Sequence, residues 1–176
     1  MTDRSSTAAS QPPAVRPDLA ALEKGQEVAR REVELSRAEL VRYAAASGDF
    51  NPIHWNQGFA AAVGLPDVIA HGMLTMGAAM QTVADWAGDP AAVLDVQTRF
   101  TKPVVVPNRI REGEAAVEAS TSLQIVGVVG TLDEQARTVR IDLTVTAPDL
   151  ADPEAQPATA AAQKVLVKAQ AVVACR

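Results

Sequence analysis

Residues 43–80 read YAAASGDFNPIHWNQGFAAAVGLPDVIAHGMLTMGAAM, and the rest of the chain is organised around them. Both histidines of the protein, His54 and His71, lie in this stretch. Asp49 precedes His54 with Asn51-Pro52 between them, and Gly72 follows His71 directly. Gly48 suits the end of a helix, because glycine accepts left-handed backbone without strain. Asp49 and His54 are therefore expected on the loop that leaves it. Pro52 fixes part of that loop and biases Asn51 toward extended backbone. Asn56 can cap a short second helix through Ala62, ended by Gly64. Over 72–86, Met73, Leu74, Met76, Met80, Val83 and Trp86 are spread almost all round a helical surface. Such a helix is expected to be enclosed. Gly88 and Pro90 end it. An acid and an imidazole on a tight turn, beside a glycine opening a buried helix, can build a proton-transfer site next to an oxyanion site.

Upstream, Ser36-Arg37-Ala38-Glu39 has the capping-box spacing, and Leu40, Tyr43 and Ala44 continue it at helical period. Residues 26–35 suit a short first strand. Residues 1–18 are polar, carry Pro12 and Pro13, and show no period. They are expected to form a disordered tail before one domain over 19–176, and they lack the apolar middle of a secretory signal. Downstream of Pro90 the period becomes strand-like. Strands are predicted over 93–100, over 115–131 with a break near Gly127 and Gly130, over 138–146 and over 164–174. A polar turn is expected at 133–135. The Ala-, Pro- and Asp-rich residues 148–163 predict a mobile hairpin loop. The pattern is α+β: a curved antiparallel sheet wrapped around the central apolar helix, with other α+β layouts left open.

The chain has 176 residues, enough for one core, and only 3% are aromatic, so aliphatic side chains must fill it. The net charge of −5 argues against nucleic acid. The scattered cations and the absence of an apolar run near 20 residues argue against a membrane. Cys175 is the only cysteine, which excludes an internal disulfide. A cytoplasmic protein is expected. Two histidines seventeen residues apart with no nearby cysteine make a poor metal-ligand set, and neither a metal nor another cofactor is expected.

The run from Tyr43 to His54 resembles the signature of MaoC-like (R)-specific hydratases and dehydratases. The run from Ala70 to Met76, the residues 97–101 and the connection 103–107 are similar to the family as well. Within it, the stretch looks closest to the B subunit of actinobacterial (3R)-hydroxyacyl-acyl-carrier-protein dehydratases of type II fatty-acid synthesis. The resemblance implies a single hot-dog domain that adds water to trans-2-enoyl thioesters, or removes it from (R)-3-hydroxyacyl thioesters. It implies catalytic roles for Asp49 and His54, and for Gly72 as the oxyanion donor. Some relatives carry a serine one to two turns into the central helix; residues 78–80 here are Ala-Ala-Met, so none is transferred. Asn51, His71, Met76 and Met80 are candidate substrate contacts, although Asn51 also suits bracing of the loop and His71 a structural part at the helix start. The expected partners are an acyl thioester of acyl carrier protein or coenzyme A, and a second hot-dog subunit, with a heterodimer favoured over a homodimer. The competing readings are an (R)-specific enoyl-coenzyme A hydratase homodimer, a non-catalytic acyl-binding hot-dog subunit, and a thioesterase. The intact Asp49–His54 pair favours the hydratase, since a scaffold has no need of it.

Overall fold

A computed structural model describes residues 15–108, 119–152 and 154–176. The expected tail as far as residue 14, and the first four residues of the predicted 115–131 strand, lie outside the described residues.

Strand β1 (Glu27–Leu35) ends at Ser36, and the capping box forms as read: Ser36 receives the Ala38 N–H, and the Glu39 carboxylate accepts from the Ser36 N–H. Helix α1 (Arg37–Ser47) stops at Gly48, whose φ of 75° is the left-handed geometry that favours glycine. A 3-10 turn (Pro52–His54) follows, capped by the Asn51 side chain, and then helix α2 (Gln57–Ala62), capped by Asn56. Helix α3 (Gly72–Ala87) is the long one and closes at Gly88, φ 70°. Strands β2 (Val93–Phe100), β3 (Thr121–Asp133), β4 (Thr138–Pro148) and β5 (Ala162–Ala174) complete the fold.

The five strands form one antiparallel sheet in the order β1-β3-β4-β5-β2. The predicted break in β3 is present. The β3–β4 register shifts between Val129 and Thr131, around Gly130, and the β1–β3 register shifts beside Gly127. Alternate residues Leu123, Ile125 and Val129 of β3, Val139, Ile141, Leu143 and Val145 of β4, and Ala169, Ala171 and Val173 of β5 are buried. They form the sheet side of the core, and α3 supplies the rest. The buried stripe of α3 is Thr75, Ala79, Thr82, Val83 and Ala87, small side chains that let the helix come close to the sheet. Its opposite stripe, Met73, Gly77, Gln81 and Asp85, is exposed, with Met73 at 53%. The expectation of a helix enclosed on nearly all sides is corrected in this respect. One sheet covers one face of a helix, and a helical stripe four residues apart stays uncovered.

Two other expectations are refined by the packing. Residues 16–18 lie against the domain: Arg16 pairs with Asp89 at 2.9 Å, and the Arg176 N–H donates to the Pro17 carbonyl. In the 148–163 connection, Leu150 is 2% exposed, and the Asp149 N–H donates to the Ala161 carbonyl.

The site is positioned by a short stitched layer. Ala70 donates to the Val104 carbonyl and Val106 to the Val68 carbonyl, so 68–70 and 104–106 run as a two-sided clamp. Arg37 locks it from behind, with Nε on the Val106 carbonyl and a 2.6 Å contact to the Asp67 carboxylate. Asp67 also accepts from the Val68 and Asn108 N–H groups. This half-buried ion pair satisfies several backbone donors at once, the condition under which burying charge is tolerated.

Candidate active site

The Asp49–His54 turn is built from local side-chain caps. Ser47 receives the Asp49 N–H, the Asp49 carboxylate receives the Asn51 N–H, and the Asn51 side chain receives the Ile53 N–H. Asx turns of this kind replace missing backbone pairs. Trp55 adds a tether, its indole N–H donating to the Phe50 carbonyl at 2.9 Å. The turn joins the clamp where Ile69 N–H donates to the Ile53 carbonyl.

His54 is 7% exposed, and its Nδ1–H donates to the Ile69 carbonyl at 2.8 Å. A carbonyl only accepts, so Nδ1 holds the proton and Nε2 carries the free lone pair of the neutral ring. Nε2 lies 3.9 Å from a carboxylate oxygen of Asp49, whose side chain is about half exposed (52%). An oxygen atom about 2.8 Å from each can sit between two groups at this spacing.

His71 is buried at 1% and stands at the N-cap of α3. Its Nε2–H donates to the Asp49 backbone carbonyl at 3.1 Å. Its ring stacks on His54, centroids 3.7 Å apart and planes 22° apart, and the Tyr43 ring lies tilted against it, centroids 4.9 Å apart. His71 thus holds both members of the pair: one by hydrogen bond, one by stacking. Its Nδ1 has no hydrogen-bond partner among the described residues.

Burial pushes the His54 imidazole below the ordinary histidine value. The Ile69 carbonyl opposes this, His71 adds to it, and the Asp49 carboxylate opposes it. His54 is therefore neutral, and able to accept a proton, at neutral pH. The unfolded chain takes up a proton as pH falls through about 6.5 while the native ring does not, so stability contributed by burying the neutral ring is complete above that pH and declines below it. Urea unfolding between pH 7.5 and 5 is expected to show an acid-side loss that His54→Gln reduces; an equal slope in both proteins would reject the assignment.

A cavity of about 320 Å³ opens at this point. His54, Gly72 and Thr75 line it on one side, Thr101, Lys102 and Pro103 at the rim, and Phe100, Val104, Val165 and Leu166 along apolar walls. Gly72 is the first residue of α3. The opening N–H groups of a helix have no intrahelical partner, and His71 supplies no side-chain cap, so donors and the positive end of the dipole are free there. A Cβ on Gly72 would come within 3.1 Å of the Phe100 ring, a tight contact that a side chain at 72 could keep only if the ring shifted by a few tenths of an ångström.

Of the residues singled out in the sequence, His54 and Gly72 meet in the cavity, and Asp49 and His71 stand against His54. Asn51, Met76 and Met80 do not line this cavity. Asn51 caps the turn, Met80 packs on the core, and Met76 is half-buried on the flank of α3. Thr75 was not singled out. It sits one turn into α3, 2% exposed, with its hydroxyl 3.4 Å from the His71 carbonyl. A polar residue on the buried stripe of an apolar helix was the available signal.

Asp49, His54 and His71 each bring a ligand-type atom within 4.8 Å of the others. A metal would need converging donors about 2.0–2.2 Å away. The two rings stack face to face, so their in-plane lone pairs run side by side, and each ring already uses one nitrogen on a carbonyl. The arrangement suits proton transfer better than coordination.

The chain is 44% identical over 75 residues to 3-hydroxyacyl-thioester dehydratase X of Mycobacterium tuberculosis, covering 43% of this chain and 26% of that protein. A solved MaoC-like dehydratase superposes with a TM-score of 0.75 at 31% identity, over 100% of this chain and 51% of the other. An R-hydratase of Pseudomonas aeruginosa superposes with a TM-score of 0.68 at 24% identity, over 92% and 87% of the two chains, which speaks to the fold. The chain spans about a quarter of the length of the first relative and about half of the second. The antiparallel sheet and α3 are the hot-dog fold of these neighbours. The family described as MaoC like domain matches residues 20–138, through the whole Asp49–Gly72 site, and the chain belongs to it.

Proposed function

We propose that the protein is a hydro-lyase of acyl thioesters, adding water to a trans-2-enoyl thioester and removing it from the (3R)-hydroxyacyl thioester. The observation that carries this reading is the free Nε2 of a neutral, buried His54 facing the Asp49 carboxylate at 3.9 Å, in a cavity wall shared with Gly72. Water held between the two loses a proton to the pair as its oxygen bonds to C3. The C2–C3 double-bond electrons move toward the thioester oxygen, where the Gly72 N–H stabilises the enolate charge. The proton then returns to C2, so one water is added overall and nothing is oxidised. The pair titrates as a unit, and Asp49 and His54 share the acid and base tasks. The names of the relatives, dehydratases and an R-hydratase, support the same reaction class.

We read the natural substrate as an acyl-carrier-protein thioester in fatty-acid synthesis; the coenzyme A thioester is the second reading. A cytoplasmic setting goes with this reading. A second hot-dog subunit, different in sequence, is expected to complete the substrate channel. Four of the six aromatics outside histidine, Phe50, Trp55, Phe59 and Phe100, are exposed, as are Val63 and Met73. That much apolar surface around one catalytic loop fits an interface. Mass measurement in solution, with hydration of crotonyl-coenzyme A followed for the chain alone and with a co-expressed partner, tests both points. A heterodimer with activity well above the single chain is expected. A fully active homodimer would move the reading to an enoyl-coenzyme A hydratase, and a fully active monomer would remove the partner altogether.

A further inference from the structure

Most arginines of the described residues are neutralised: Arg16, Arg30, Arg31, Arg37, Arg42 and Arg140 each lie within 4.0 Å of a carboxylate. Arg99, Lys102, Lys164 and Lys168 make no ion pair among the described residues. The β2–β5 pairing sets their backbones beside one another. Arg99 stands opposite Val167, next to Lys168, and the Thr101 hydroxyl reaches the Lys164 carbonyl at 3.3 Å. Lys102 lines the rim of the His54 cavity itself. Residues 96–108 and 155–176 contain no carboxylate side chain. A protein of net charge −5 therefore has an uncompensated positive rim at the mouth of its cavity. Guarding of a sheet edge does not explain it. The other edge, β1, mixes Glu27, Arg30, Arg31, Glu32 and Glu34, and its arginines are paired.

We infer that the rim formed by Lys102 and Lys164 binds the phosphate part of the thioester's phosphopantetheine carrier; this rests on the hydro-lyase reading above. The thioester end enters toward Gly72, and the arm leaves past Lys102. Unpaired ammonium groups act as mobile point charges on phosphate, and the attraction is screened by salt.

The test compares crotonyl-coenzyme A, crotonyl-phosphopantetheine and phosphate-free crotonyl-pantetheine. In the Lys102→Glu/Lys164→Glu double variant, the ratio of kcat/KM for the coenzyme A thioester to that for the pantetheine thioester is expected to fall about tenfold, the size of a modest electrostatic contribution. Lys102→Arg/Lys164→Arg should keep the wild-type ratio, and raising salt should lower it in wild type and in the arginine variant but not in the glutamate variant. An equal fall with crotonyl-phosphopantetheine assigns the arm's own phosphate, which coenzyme A and carrier protein share. A fall with crotonyl-coenzyme A alone assigns the nucleotide phosphates. An unchanged ratio overturns the inference and leaves the hydro-lyase reading standing. Calorimetry with coenzyme A reads the rim without turnover. A protein that hydrates neither thioester, yet loses coenzyme A affinity on charge reversal, fails only the hydro-lyase reading; unaltered affinity in a folded variant overturns the rim.

Discussion

Asp49→Asn and His54→Ala are each expected to lower turnover of a good enoyl thioester by about 10²-fold or more, the scale of lost acid–base assistance. The two substitutions differ in their structural cost. The Asp49 side chain is about half exposed, and its hydrogen bond to the Asn51 N–H can be kept by the amide oxygen of Asn. Asp49→Asn therefore isolates the carboxylate. His54 is 7% exposed and bonds the Ile69 carbonyl. His54→Ala leaves that carbonyl unpaired and a void against His71, at a cost of about 1–3 kcal/mol. Both residues lie on one loop, yet burial makes His54→Ala the costlier change. Initial rates on crotonyl-coenzyme A, read beside urea unfolding of the same samples, separate chemistry from stability. Two folded variants with near wild-type rates would remove Asp49 and His54 from the mechanism.

The parts legible in the sequence are those whose causes are local. Ser36 and Glu39 cap α1, Gly48 ends it, Asn56 caps α2 and Gly88 ends α3, each through atoms a few residues apart. The Asp49–His54 spacing was legible for the same reason, since the Asx turns that bring the pair within 3.9 Å are made by residues 47–53. The walls of the cavity were not. Phe100, Thr101 and Lys102 reach His54 from β2 and the turn after it, Val165 and Leu166 from β5, and only the strand register brings them there. Helical period announces α3 but not which face meets the sheet. Met76 and Met80, candidate contacts from the sequence, do not line this cavity, while Thr75 on the buried stripe does. Trp55 shows a similar limit. A large ring suggests packing, yet it is 49% exposed and works through its indole N–H.

Gly72→Pro is expected to lower turnover by about 10²–10³-fold, the usual loss for one oxyanion donor. Proline is chosen because the fold should accept it. Residue 72 is the first of α3, where proline's missing N–H breaks no helix bond and its fixed φ suits the start. The preceding residue must then be extended, and His71 already has φ −58° and ψ 133°. What proline changes is the donor, together with contact against Phe100, which a Cβ would meet at 3.1 Å. Gly72→Ala separates these effects. It adds the same Cβ contact but keeps the N–H, so it measures the steric part alone. If the donor matters, the alanine variant loses far less than the proline variant, and the loss in proline appears in kcat more than in KM, because the enolate charge exists only as the reaction proceeds. Far-UV circular dichroism and unfolding curves establish that both variants retain α3. A folded proline variant with turnover equal to that of the alanine variant would assign the whole effect to crowding of Phe100 and end the oxyanion role of Gly72.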